Sequence, residues 1–288
     1  MTETRGTIRL ADNLDVLRAL PDGAVDLIYV DPPFNTGASR QHTRLRTVQD
    51  PDGDRTGFQG RRYRSEALGT TRFADLFDDY LGFLEPRLIE ARRVLARHGS
   101  LYFHIDYREA HTCKLLLDTV FGRDAFLNEI IWAYDYGGRP RDRWPAKHDT
   151  ILFYARHPGA HWFDRDAIER IPYMAPGLVG PEKAARGKLP TDTWWHTIVP
   201  TNGAERTGYP TQKPLGILRR IVQASCPVGG LVADFFAGSG TTGAAALELG
   251  RRFLLVDANP AALAVMARRF AGVDGVEWIG FDPKAAQD

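Results

Sequence analysis

The residues best suited to chemistry are Asp31-Pro32-Pro33-Phe34, directly after the apolar run Val25–Val30. Consecutive prolines fix φ and remove two backbone donors, so the turn is stiff and its carbonyls are left to face outward. The aspartate offers one acceptor, a proline carbonyl offers a second, and the phenyl ring offers a stacking face. Together these suit an amino group on a planar ring. Both N–H bonds can be held aside while the nitrogen lone pair points at an incoming electrophile. Taken alone, the run also fits an ordinary strand exit, since Asp-Pro commonly opens a turn.

A second candidate lies near the other end, in Asp234-Phe235-Phe236-Ala237-Gly238-Ser239-Gly240-Thr241-Thr242-Gly243. It reads as strand, tight turn and helix start, with glycines where a ligand must approach backbone closely. Asp257 stands nineteen residues past Gly238, ending the next apolar run, where a carboxylate can take ribose hydroxyls. Gly238-x-Gly240-x-x-Gly243 also satisfies a dinucleotide fingerprint, so a nicotinamide enzyme competes for this motif. Just before it, Gly208-Tyr209-Pro210-Thr211-Gln212-Lys213-Pro214 heads an apolar-periodic segment. A lysine at a helix start can hold a ligand carboxylate, which the helix dipole also favours.

These motifs need a frame. Near-continuous apolar runs at Val25–Val30, Leu101–Ile105, Ile130–Tyr134, Ile151–Tyr154, Leu231–Phe236 and Phe253–Val256 read as strands buried on both faces. Helical patterns run through Tyr80–His98, Ala110–Phe121, Leu215–Ser225, Thr242–Leu249 and Pro260–Phe270. The alternation predicts an α/β, doubly wound, mostly parallel sheet with helices on both faces and ligands beyond its strand ends. Val276–Gly280 fits either an extra sheet edge or C-terminal packing.

Two stretches break the pattern. Residues 36–72 lack an apolar stripe and are expected to be a mobile loop. Residues 157–206 are irregular, with six prolines and three tryptophans, and suggest a small insertion. Net charge is only +1, yet Ala38–Arg72 holds eight arginines against four acids, and Arg139, Arg141, Arg143 and Lys147 form a second cluster. Interleaved with Phe58, Tyr63 and Trp144, these clusters suit phosphate contact, with Arg44, Arg46, Arg61 and Arg62 as the candidates in the first. The polar start, Met1 to Arg9, argues against a secretion signal, and no apolar run is long enough to span a membrane. Cys113 and Cys226 match no metal spacing and are read as reduced thiols of a cytoplasmic protein. No metal site is expected.

In this order, Asp31–Phe34 early and Phe236–Gly240 late, the chain resembles the β class of DNA amino-methyltransferases. Tyr209–Pro214, Lys147–Leu152 and the opening Ala11-Asp12-Asn13-Leu14 extend the resemblance over nearly the whole chain. It implies a Rossmann-like methyltransferase sheet in circularly permuted motif order, with double-stranded DNA as partner and S-adenosylmethionine as cofactor. Asp31 and the Pro32 carbonyl would accept from the target amino group, with Pro33 completing the turn and Phe34 stacking on an extruded base. Phe236, Gly238, Gly240, Thr241 and Asp234 would shape the cofactor loop. Asp257 would take the ribose, Lys213 the carboxylate end, and Asp12 or Asn13 the adenine. Three positions depart from the usual pattern: Phe34 replaces a frequent tyrosine, Ala237 a glycine or cysteine, and Ala11 a glycine.

The implied reaction is direct displacement at the sulfonium methyl by the amino nitrogen, adenine N6 being favoured over cytosine N4. The implied division is a catalytic half at 1–156, a target-recognition insertion at 157–206 and a cofactor-binding half at 207–288. A homodimer and a cognate restriction endonuclease are left open. A nicotinamide dehydrogenase would leave Asp31–Phe34 and the arginines unexplained. A DNA-binding module on an inactive methyltransferase fold would not need an intact Asp31. Families that methylate RNA or protein glutamine usually place the glycine loop first.

Overall fold

The computed structural model describes residues 4–35, 40–49, 55–56, 62–73, 77 and 79–285; within 40–73 it describes only the side chains of Arg62 and Arg64. The elements in chain order are β1 (Gly6–Leu10), α1 (Asn13–Ala19), β2 (Val25–Val30), β3 (Arg40–Gln49), β4 (Arg55–Thr56), β5 (Arg62–Phe73), α2 (Tyr80–Val94), β6 (Leu95–Asp106), α3 (Ala110–Phe121), β7 (Phe126–Ala133) and β8 (His148–Ala155). They continue with α4 (Pro181–Arg186), β9 (Thr193–Trp195), α5 (Leu215–Ser225), β10 (Leu231–Asp234), α6 (Thr241–Glu248), β11 (Arg252–Asp257), α7 (Pro260–Arg269) and β12 (Val276–Ile279).

Nine strands form one sheet in the order β12-β1-β11-β10-β2-β6-β8-β7-β9. Only β8 is reversed, pairing antiparallel with β6 and with β7. The expected doubly wound, mostly parallel sheet is therefore present. β12 pairs with β1 from Gly6↔Val276 onward, so Val276–Ile279 does form an extra sheet edge.

Alternation along β2 shows why the runs are continuous. Leu27 and Tyr29 join the apolar cluster made with α5, α6 and α7, while Ile28 and Val30 lie outside that cluster and are also buried. α5 fits its side of the sheet because Ile217, Leu218, Ile221 and Val222 repeat at helical spacing, and all four are fully buried. Burying such a side chain contributes roughly 1.5–3 kcal/mol.

The chain divides into two compact units, Met1–Pro32 with Leu81–Asp288 and, separately, Pro33–Tyr80. The smaller unit corrects the loop expectation for 36–72. Its strands β3 and β5 pair antiparallel from Arg40↔Phe73 to Gln49↔Tyr63, and β4 adds to β5. An antiparallel ribbon needs no continuous apolar run. Threonine, valine, tyrosine and arginine interleaved along 40–49 and 62–73 suit strands, and the backbones supply the pairing. Residues 157–206 fall within the larger unit, mostly irregular, and contribute β9 to the sheet edge beside β7.

Two further boundaries moved. The helix expected to reach His98 ends at Val94, where β6 begins and pairs Leu95 with Val25. The strand expected over 231–236 ends at Asp234, because Phe235 and Phe236 already belong to the turn.

Candidate active site

β10 delivers Asp234 to the sheet's carboxyl end, where its side chain is enclosed. Oδ1 accepts from the Phe236 N–H at 3.0 Å, and Oδ2 accepts from the Thr242 hydroxyl at 2.6 Å. One carboxyl thus braces the turn and the first turn of α6. Burial pushes its pKa up to about 7, against those two donors. Asp234 shapes the loop from beneath rather than facing a ligand.

Gly238 has φ +50°, and a Cβ there would lie 3.1 Å from the Tyr209 ring. Gly240 has φ +74°, and its Cβ would meet Met266 Cγ at 2.8 Å. Both positions need glycine twice over, for conformation and for space. The Gly238 N–H donates to Asp257 Oδ2 at 2.8 Å, and the Asn259 N–H donates to Oδ1 at 2.8 Å. Burial raises the Asp257 carboxyl above its ordinary range despite these donors. Each oxygen retains acceptor capacity for a hydroxyl.

Asp31 ends β2. Lys213 Nζ donates to Asp31 Oδ2 at 2.5 Å, and both side chains are largely buried, 15% and 12% exposed. The structure places the ammonium of Lys213, the residue expected at the cofactor's carboxylate end, on Asp31. Its stem crosses between motifs because the Thr241 hydroxyl donates to the Lys213 carbonyl at 3.2 Å. The other oxygen, Asp31 Oδ1, is buried with no hydrogen-bond partner. Leaving such an acceptor unpaired costs on the order of 1–3 kcal/mol, so in a native fold it marks a place where a donor is supplied from outside.

Behind Asp31 runs a buried polar chain that sequence reasoning missed. His104 of β6 is fully buried, with Nε2 3.1 Å from Asp149 Oδ2 and Nδ1 2.7 Å from the Tyr29 hydroxyl. A carboxylate accepts only, so Nε2 carries the hydrogen toward Asp149 and Nδ1 can accept from Tyr29. The Tyr134 hydroxyl donates to Asp149 Oδ1 at 2.9 Å. His104 Nδ1 lies 3.9 Å from Asp31 Oδ1. Burial pushes the Asp149 carboxyl up, but the hydrogen bond from His104, with Lys213 and Tyr134, holds it below its ordinary value. Burial and nearby Asp31 push the Tyr29 phenol well up. The only signal in the sequence was a histidine inside the apolar strand 101–105.

Asp12 and Asn13, expected near the cofactor adenine, both have partners within the fold. Asp12 caps α1, accepting from the Leu14 N–H at 2.8 Å, and pairs with Arg87 at 3.2 Å. Asn13 is buried, donating to the Phe235 carbonyl at 2.7 Å and accepting from Arg87 Nε at 2.6 Å. Both ends of its amide are engaged, which fixes the β10 exit to α1. Arg87, missed in the sequence, also lies 3.9 Å over the Phe83 ring, and Phe83 meets Phe236 with ring centroids 6.2 Å apart. Phe236 is thereby held at the loop's edge by α2.

The Asp31–Phe34 run passes from the larger unit into the smaller after Pro32. In the smaller unit the Tyr80 hydroxyl donates to the Pro33 carbonyl at 2.6 Å, and the Phe77 N–H donates to Asn35 Oδ1 at 3.2 Å. Asn35 has φ +51°, a turn conformation that asparagine tolerates better than most residues. Arg62 is exposed on β5; Arg44 and Arg46 lie on β3 with side chains outside the described residues, as does Arg61 entirely. Arg139, Arg141 and Arg143 are exposed on the β7–β8 connection, whereas Lys147 is half-buried and donates to the Gly137 carbonyl at 2.7 Å.

The N6/N4 DNA methylase family model matches residues 25–268, most of the chain and every motif above except the opening one. The chain belongs to this family. The methylase is 29% identical over 271 residues to the DNA adenine methyltransferase YhdJ of Escherichia coli, covering 91% of this chain and 82% of the other. Its fold matches the cytosine-N4-specific PvuII DNA methyltransferase with TM-score 0.65 at 14% identity, covering 100% and 92% of the two chains. It also matches a Thermus thermophilus protein solved with S-adenosyl-L-methionine, with TM-score 0.59 at 19% identity and coverage of 96% and 99%. The last two likenesses are of fold. Among the described residues, no helix of the methylase is long and apolar enough to cross a membrane.

Proposed function

We propose that this DNA methylase transfers a methyl group from S-adenosylmethionine to the exocyclic amino nitrogen of an extruded base, adenine N6 first. The observation that carries the reading is Asp31 Oδ1, a buried acceptor without a partner at the end of β2. An amino hydrogen satisfies it, with the Pro32 carbonyl as the second acceptor. Lys213 already donates to Oδ2, so Oδ1 is the carboxylate oxygen left wholly to the base amino group.

S-adenosylmethionine, when bound, supplies the electrophilic methyl. The glycine loop fits it: Gly238 and Gly240 let the backbone turn tightly against Tyr209 and Met266, and Asp257 presents a carboxylate suited to a ribose. Phe236 forms the edge of that loop. Asp31 and Pro32 orient the amino nitrogen, and Asp31 takes up the proton that nitrogen loses on methylation. Cysteine plays no part, since Cys113 and Cys226 are buried, with their thiols pushed up to about 12 by burial.

A carboxylate is a stronger acceptor than a hydroxyl, which is the ground on which this reading puts adenine before cytosine. Extruding a base costs a few kcal/mol, and stacking on Phe34 returns roughly 1–3 kcal/mol. The shortfall is met where the protein grips duplex DNA, by the arginines of β3, β5 and the β7–β8 connection. A cytoplasmic location, a homodimer and a partner endonuclease belong to the same reading.

The test is transfer of tritiated methyl to unmethylated genomic DNA, followed by nucleoside mass spectrometry. We expect N6-methyladenine, reduced at least about a hundredfold by Asp31→Ala, the scale of losing a group that acts in the transition state. N4-methylcytosine instead would keep the mechanism and overturn the base. No labelled nucleoside would overturn the reading.

A further inference from the structure

The connection between β7 and β8, residues 134–147, carries chemistry that the amino-transfer site does not use. Trp144 is 94% exposed, the most exposed large apolar side chain among the described residues. The connection holds four cations, Arg139, Arg141, Arg143 and Lys147, against Asp135 and Asp142. Its root is tied shut: the Tyr134 N–H donates to the Lys147 carbonyl at 2.9 Å, and Lys147 Nζ reaches the Gly137 carbonyl. Pro140 and Pro145 restrict the backbone around Arg141, Arg143 and Trp144. The connection thus presents a flat ring on a braced arm, with no packing to justify its exposure.

Position strengthens the case. β7 runs parallel to β2 and leaves the sheet at the same end, three strands away. At about 4.8 Å per strand the arm roots roughly 14 Å from Asp31, on the scale of a DNA groove. The root also joins the buried chain beneath Asp31 through the Tyr134–Asp149 hydrogen bond. Tyr136, the other exposed aromatic of the connection, is 62% exposed and precedes the arginines, whereas Trp144 follows directly on Arg143 and is the more exposed ring.

We propose that Trp144 is a wedge that enters the base stack of double-stranded DNA at the slot vacated by the extruded base, while Arg139, Arg141 and Arg143 hold the flanking phosphates. Apolar side chains inserted between base steps are a general means of holding a duplex open. Aromatic rings also stack on any base irrespective of sequence. The proposal rests on the amino-methyltransferase reading above.

The experiment compares wild type, Trp144→Ala and Trp144→Phe on two duplexes built around a site located in methylated genomic DNA. One duplex pairs the target base normally; the other places it opposite an abasic position, where extrusion is already easy. On the paired duplex Trp144→Ala is expected to lose about tenfold or more in turnover, the scale of removing one aromatic stack on a base, with Trp144→Phe in between. On the abasic duplex the alanine variant should return to within about twofold of wild type, with S-adenosylmethionine affinity unchanged throughout. Equal rates on the paired duplex would overturn the wedge. So would an equal deficit on both duplexes, or a loss that tracks a change in oligomeric mass, which would give this face to a second copy. Failure of wild type to methylate any DNA would instead overturn the underlying reading.

Discussion

Lys213 binds two motifs that lie far apart in sequence. Its ammonium holds Asp31 Oδ2 and its carbonyl receives the Thr241 hydroxyl. Replacing it by methionine keeps the stem and frees Asp31 to swing or to pair elsewhere. Lys213→Met is expected to lower turnover about tenfold or more while leaving the KM for S-adenosylmethionine within about twofold, because the missing interaction orients a reacting group. A large rise in that KM with unchanged turnover would return Lys213 to the cofactor's carboxylate. The residue was legible from its motif, but its partner was not. A lysine at a helix start looks out toward any anion, and only the packed fold reveals that the nearest one is the chain's own. The same holds for Asn13, whose amide reads as a ligand group in a line of sequence and proves to be a tie between the β10 exit and α2.

Where strands meet helices, single carboxyls set the angles. Asp234 joins the end of β10 to the first turn of α6, and burial raises its pKa to about 7. A carboxyl raised in the folded state stabilises most below its unfolded value near 4, and that contribution is lost as pH climbs toward about 7. Asp234→Asn keeps an acceptor for Thr242 and removes the titration. Between about pH 5 and 7.5 wild type should therefore lose more stability in urea titrations than the variant, with a difference slope approaching about 1.4 kcal/mol per pH unit. Parallel curves would show that Asp234 is charged throughout. At this scale the sequence was most readable where the core decides: β2, α3 and α5 fall on the predicted residues because apolar spacing alone sets them. It was least readable in 40–73, where β3 and β5 are held by each other's backbones and the sequence carries no apolar run to announce them. β9, only three residues long, had no pattern to read and depends on β7 beside it.

Across the whole molecule the charges are local rather than global, since the net charge is only +1. Binding to duplex DNA then depends on a few exposed arginines. Changing Arg139, Arg141 and Arg143 together to alanine is expected to reduce the slope of log affinity against log salt by roughly two to three, near 0.9 for each phosphate no longer neutralised. S-adenosylmethionine affinity, measured by calorimetry, should stay as it was. An unchanged salt slope would place the phosphate grip elsewhere. The bridge that Lys213 makes between its two neighbours has a further consequence. The groups proposed to receive the methyl donor and the target base are joined through one residue, by its ammonium on Asp31 and its backbone carbonyl on Thr241, so loading one site is expected to alter the free energy of loading the other. Such coupling is reciprocal: whatever factor the donor adds to affinity for DNA, DNA adds to affinity for the donor. A methylase wired this way would favour the ternary complex over either binary one, and would hold its methyl donor most tightly when a base is ready to take it.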